Sequence, residues 1–147
     1  MLRRRPLIAC IALLCALLLP VAAPARPRDQ MLGKVNAYRA AYGVPRLREL
    51  HSLDESARRY ARWMLRHQFF GHDNHIHVSR RFRFVGEVLA YHSGRNPGVR
   101  LMFNAWKNSP EHAAILRDRT HVDGGGFAEG RLGGRSVTIW VGHLARR

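Results

Sequence analysis

The sequence is short of cysteine, of acid and of long apolar runs, and each shortage excludes something. Of its 147 residues only Cys10 and Cys15 are cysteines, and both lie close to the N-terminus. The remaining chain cannot be a disulfide-stapled scaffold and must be held together by its core. Ten acidic residues stand against 25 lysines and arginines, a formal charge of +15 at pH 7. That excess predicts affinity for polyanions such as anionic lipid headgroups or acidic envelope polymers. It does not predict specific nucleic-acid binding, because the arginines are scattered and no run interleaves them with aromatics as a single-strand groove would. The longest apolar run, Leu7 to Leu19, has 13 residues and ends at Pro20, whereas a membrane span takes roughly 20.

What that run does resemble is the middle of an export leader. Arg3-Arg4-Arg5 precede it, and Val21-Ala22-Ala23 or Ala23-Pro24-Ala25 offers the small residues a signal peptidase cuts after. Residues 1–25 therefore read as a signal peptide, which makes the product secreted or periplasmic with no stable membrane span. The lipobox-like Leu7-Ile8-Ala9-Cys10 has too short an apolar lead-in to compete with that reading. Cleavage would remove both cysteines and three arginines but no acid, leaving a formal charge of +12. Residues 26–147 are then one domain of ordinary size, long enough to bury a core.

Helical periodicity opens that domain, with Met31, Leu32, Val35 and Tyr38 on one face and Gly43 and Pro45 as stops. Ser52 and Glu55 have the spacing of a capping box, and Ala57, Tyr60, Ala61, Met64 and Leu65 form the apolar face of a second helix that fades near Phe69-Phe70-Gly71. His72 stands just past its end. In the polar loop that follows, His75 and His77 are two apart and would share a face of an extended chain, although such loops are more often solvated. Residues 82–90 alternate as a strand does and carry Glu87 among Val85, Val88 and Leu89. A carboxylate in such surroundings is normally paired or ligating.

Asn96 as cap and Pro97 as first residue mark a third helix, in which Val99, Met102, Phe103 and Trp106 have core spacing. Ser109 and Pro110 mark a fourth, with His112 in its first turn. There the positive end of the helix dipole should hold the imidazole neutral, fit to bind a metal or accept a hydrogen bond. Residues 120–129 and 136–144 read as an antiparallel hairpin. Gly124-Gly125-Gly126 is no phosphate loop, since neither a lysine-serine pair nor a helix follows; it reads as a bulge or a point of close backbone approach. The pattern is α+β: an antiparallel sheet with helices around it.

In order and spacing, Asn36-Ala37-Tyr38-Arg39, Gly43-Val44-Pro45, Phe70-Gly71-His72, Gly86-Glu87, Trp106 to His112 and the closing strand with Trp140 resemble the superfamily of cysteine-rich secretory proteins, antigen 5 and pathogenesis-related 1 proteins (CAP, or SCP-like), in particular its short cysteine-free bacterial branch. The resemblance covers about residues 29–144. It implies an α-β-α sandwich whose open cleft carries His72, Glu87 and His112, a set suited to zinc or another divalent metal with a fourth position left to water. Ser109 and Glu111 would line the same cleft. Three departures stand out: Ser109 replaces the second acid of the eukaryotic members, Val88 replaces the usual asparagine, and the segment between His72 and Glu87 is short. The resemblance brings no settled reaction. The leading expectation is a non-enzymatic domain that binds a metal together with a lipid, small ligand or cell-envelope component. One alternative is a metal-dependent hydrolase with Glu111 as candidate catalytic base. The other is a basic module for anionic envelope polymers.

Overall fold

A computed structural model describes residues 23–72, 76, 78 and 80–147. Most of the expected leader, and both His75 and His77, lie outside the described residues. Four helices and four strands follow one another as α1 (Pro27–Ala41), β1 (Arg48–Glu49), α2 (His51–Arg66), β2 (Phe84–Ser93), α3 (Val99–Asn108), α4 (Pro110–Leu116), β3 (Val122–Leu132) and β4 (Arg135–Arg146). The sheet order is β1-β3-β4-β2. Pairing of β3 with β4 and of β2 with β4 is antiparallel, as expected. The two-residue β1, absent from the sequence reading, adds a short parallel edge against Val122 and Asp123. Among the described residues no helix is long and apolar enough to cross a membrane.

Alternation along the strands divides the core between the two faces of the sheet. Val137, Ile139 and Val141 of β4 and Leu89 of β2 meet Ala57, Ala61 and Met64 of α2. On the other face Trp140, Leu144 and Val88 meet Met31 and Val35 of α1 and Met102 and Trp106 of α3. The result is the α-β-α sandwich. Trp106 is a packing residue, buried edge-to-face against Trp140.

Two helix starts differ from the sequence reading, and in both a long-range contact outweighs the local signal. No Ser52–Glu55 capping box forms, since α2 begins at His51 with Leu50 as cap residue. The Leu50 N–H is already held by the Asp123 carbonyl, so the chain leaves the β1 ladder and enters the helix without a break. Nor does Asn96 cap α3. That helix starts at Val99 behind Gly98, whose φ of 51° lies in the left-handed region. Asn96 and Pro97 are instead fastened to β4, where the Asn96 N–H meets the Thr138 hydroxyl and the Pro97 carbonyl accepts from the Trp140 indole.

Gly124-Gly125-Gly126 turns out to be a site of close backbone approach. A Cβ on Gly124 would lie 2.1 Å from the Asp54 backbone nitrogen and one on Gly126 2.7 Å from that of Arg58, so α2 rests directly on the β3 backbone. Gly125 faces away, its nearest neighbour 3.9 Å off. Gly124→Ala is therefore expected to cost about 3 kcal/mol or more, as overpacking against unyielding backbone does, whereas Gly125→Ala should leave stability nearly unchanged. Urea denaturation of the two variants checks the contrast, and equal losses would contradict it.

Candidate functional site at the β2 edge

The site is built on β2, an edge strand, and its placement follows from register. Glu87 stands directly opposite His143 of β4. Strand alternation puts both on the α2 face, in line with Leu89 and Val141. Glu87 is buried, and each of its oxygens is engaged: Oε1 lies 2.9 Å from His72 Nδ1 and Oε2 lies 3.0 Å from His143 Nε2. A carboxylate this far from water needs such partners. His72 reaches it from the segment just past α2, where the Tyr60 hydroxyl donates to the Gly71 carbonyl and fixes the approach.

His112 arrives from the opposite side of the strand. Ser109 caps α4 as the sequence predicts, its hydroxyl accepting from the His112 backbone N–H at 3.4 Å and donating to Glu111 Oε2 at 3.0 Å. Helix α4 can sit close to β2 because residue 86 is glycine: a Cβ there would come within 2.7 Å of an Ile115 methyl. The His112 and His72 rings then meet around the strand edge, their Nε2 atoms 3.4 Å apart. Three residues singled out in the sequence, His72, Glu87 and His112, thus come together, while Ser109 and Glu111 lie on the rim.

The arrangement differs from the expected ligand set in one respect. Because Glu87 holds His72 through Nδ1, it lies behind that ring, on the side away from the facing Nε2 atoms. A carboxylate beside Nδ1 favours the tautomer that carries its proton there and leaves Nε2 as the acceptor, the usual relation between a carboxylate and an orienting histidine. Among the described residues no group of three or more His, Cys, Asp or Glu side chains is arranged to hold a metal. The open donors are two imidazole nitrogens.

His143 is the participant that sequence reasoning missed. It is 1% exposed and its Nδ1 has no partner among the described residues. The signal was present, because Val137, Ile139 and Val141 set an alternation that carries His143 onto the same buried face. Nothing in the local pattern, however, says that the residue across the ladder is a glutamate.

A sequence model of the cysteine-rich secretory protein family, CAP, matches residues 32–144. This chain belongs to the CAP family. Its fold is similar to that of an outer surface protein from Borrelia burgdorferi, with 23% identity and a TM-score of 0.64 over 81% of this chain and 91% of that one. It is similar as well to Schistosoma mansoni venom allergen-like protein 4, at 10% identity and a TM-score of 0.63 over 84% and 92%. A third similar fold is that of an extracellular SCP-domain protein from Bacillus anthracis, at 17% identity and a TM-score of 0.60 over 86% of this chain and 45% of that one. No curated protein sequence matches the chain closely enough to count as a relative.

Electrostatics at this site favour the neutral imidazole at position 112. Burial first, and then the neighbouring His72, hold the His112 pKa below its ordinary 6.5. The direction agrees with the sequence argument, and its causes are desolvation first and the neighbouring His72 second. A base whose folded pKa is depressed contributes stability that is present above about 6.5 and lost as the pH falls toward the folded value. In metal-free protein the His112 ring protons should therefore titrate below 6.5 by NMR, and His72→Ala should move that titration upward. A midpoint unchanged by the substitution would contradict the coupling.

Proposed function

We propose that this chain is an exported CAP domain that acts by binding rather than by turnover. In this reading His72 and His112 take a divalent metal, zinc in the first instance, through their Nε2 atoms, and the cleft around them receives a lipid, small ligand or anionic envelope component. The observation that carries the reading is the 3.4 Å separation of the two Nε2 atoms. Two nitrogens bound to one tetrahedral zinc at about 2.0–2.1 Å stand about 3.3–3.4 Å apart, so the pair has the spacing of two ligands of a single ion. Glu87 would serve as the group that orients His72, and His143 as the buried donor that keeps Glu87 in place. A bound ion would supply Lewis acidity and leave positions for water or for an oxygen of the ligand.

Hydrolysis is the less favoured reading because the described residues around the two imidazoles offer no good base. Glu87 has both oxygens committed. Glu111 is exposed, and hydrogen bonds from its own backbone N–H and from the Ser109 hydroxyl hold its carboxyl below the ordinary carboxylate range. Lowering a carboxylate pKa makes it a weaker proton acceptor at neutral pH. Export rests on the leader-like residues 1–25 and accords with two of the similar folds, an outer surface protein and an extracellular protein.

Titrating Co(II) or Zn(II) into metal-free protein tests the site directly. Wild-type protein should bind one equivalent, with His72→Ala and His112→Ala each abolishing stoichiometric binding. Glu87→Gln should weaken it about 10- to 100-fold, the usual cost of losing an orienting carboxylate. Undiminished binding in the double alanine variant would refute the site. Turnover of a peptide, ester or glycan that His112→Ala abolishes would replace binding with hydrolysis as the function.

A further inference from the structure

On the side of the sheet away from the histidines, β3 has an edge that is only partly covered among the described residues. Its only strand partner there among the described residues is β1, which pairs with residues 122 and 123 and no further. Odd-numbered residues of β3 direct their main-chain groups outward. The His121 and Asp123 carbonyls accept from Arg48 and Leu50, the Gly125 N–H donates to Asp54 Oδ1 at 3.0 Å, and the Arg131 carbonyl accepts from the Gln68 amide at 2.9 Å. Register with β4 is unbroken from residue 122 to 132, so no bulge reverses this alternation. Asp54 and Gln68 therefore strap the two ends of the edge. Between them the N–H and C=O groups of Phe127 and Glu129 face outward with no strand beside them among the described residues.

These groups open into a groove of about 710 Å³ between β3 and α2, with Arg62, Leu65, Arg66 and Phe127 in its walls. Arg62 and Arg66 are four apart on α2, hence on one helical face, and both are exposed with no carboxylate partner among the described residues. Glu129 is the single acid in the lining.

We propose that this groove binds an extended acidic peptide segment, which adds as a short strand along Phe127–Glu129 of β3 while alternate acidic side chains meet Arg62 and Arg66. An edge that offers donors and acceptors in alternation is matched by another peptide backbone; a polyphosphate could satisfy only the donors. Charge also decides against a second copy of this chain, because pairing two β3 edges would set two arginine pairs against one seam. The stretch between the straps accommodates a contact of only a few residues, so the complex should be weak and readily reversible, and arginine pairing supplies much of its selectivity.

Fluorescence anisotropy with a labelled Glu-Val-Glu-Val-Glu-Val peptide and the full chain tests the proposal. The peptide should bind, and a copy methylated on its backbone nitrogens should bind at least tenfold more weakly. The R62E/R66E double variant should lose at least tenfold as well. In a second measurement, the amide resonances of Phe127 and Glu129 should shift on titration with the unmodified peptide. Absence of binding to wild-type protein, or equal binding of the methylated peptide, would overturn strand addition. So would displacement of the peptide by polyphosphate at equal charge concentration, or amide shifts confined to other regions.

Discussion

The buried guanidinium of Arg39 holds the two halves of the chain in one arrangement. It is 0% exposed, and it donates to the carbonyls of Pro45, Leu116, Asp118 and Thr120 at 2.6–3.0 Å. One side chain near the end of α1 thereby binds the following loop, the last turn of α4 and the approach to β3. Its hydrogen-bond partners are all main-chain carbonyls; their dipoles meet the cost of burying its charge, with the fields of Asp118 and Asp123 assisting. A seven-residue helix does not stand alone in water. Helix α4 persists because Ser109 satisfies its first turn and Arg39 its last, so the position of His112 is set partly by a residue in another helix. Asn36, one turn earlier on α1, makes a second tie of this kind by bonding both the N–H and the C=O of Leu47 just before β1.

Glu87 plays the corresponding part on the other face. A single buried carboxylate bonded to two imidazoles turns a strand register into a site, because a slip of one residue between β2 and β4 would send Glu87 to the α1 face and leave His143 facing nothing. The same register sets Gly142 opposite Val88, where a Cβ would come within 2.9 Å of that valine. Packing and chemistry thus demand one alignment, and neither could shift without the other. Glycine recurs for one reason at Gly86, Gly124 and Gly126: a helix must approach a strand more closely than a side chain would permit.

Much of this was legible in the chain because it is written locally. The apolar faces of α1, α2 and α3, the Ser109 cap with Pro110 and the β3–β4 hairpin all follow from residues within a few positions of one another, and the glycine run already narrows Gly124 and Gly126 to a bulge or a close backbone approach. So does the suspicion attached to Glu87, a charged residue inside an apolar strand. What could not be read depends on contacts between distant segments. Strand β1 exists because Asp123 and His121 offer carbonyls; the Ser52–Glu55 box loses because Leu50 is already bound; and Asn96 is drawn from its helix by Thr138. His143 belongs with these cases, since a histidine in a strand acquires meaning only when the ladder shows what stands across from it. The order of the family motifs put His72, Glu87 and His112 in one cleft, but it could not tell that Glu87 would stand behind His72 rather than beside the open nitrogens.

The two margins of the sheet differ in character, and the difference follows from what covers each. At β2, α4 and the segment carrying His72 close over the strand, and the groups brought together there are imidazoles backed by one carboxylate. At β3, α2 lies tightly on Gly124 and Gly126 and fixes the face of the strand, while along its rim β1 is the only strand partner among the described residues. Asp54 and Gln68 shorten that rim, as side-chain straps can, so that among the described residues Phe127 and Glu129 are left between them without a strand partner, and the arginines beside them disfavour like copies stacking edge to edge. Arg28 bridges Glu49 and Asp54 at the β1 end, while burial and the charge of Asp54 push the Asp123 carboxyl up to about 7. Three of the ten acids of this strongly basic chain, Glu49, Asp54 and Asp123, thus gather where helix is fastened to sheet, while Arg62 and Arg66 of α2 are exposed with no carboxylate partner among the described residues.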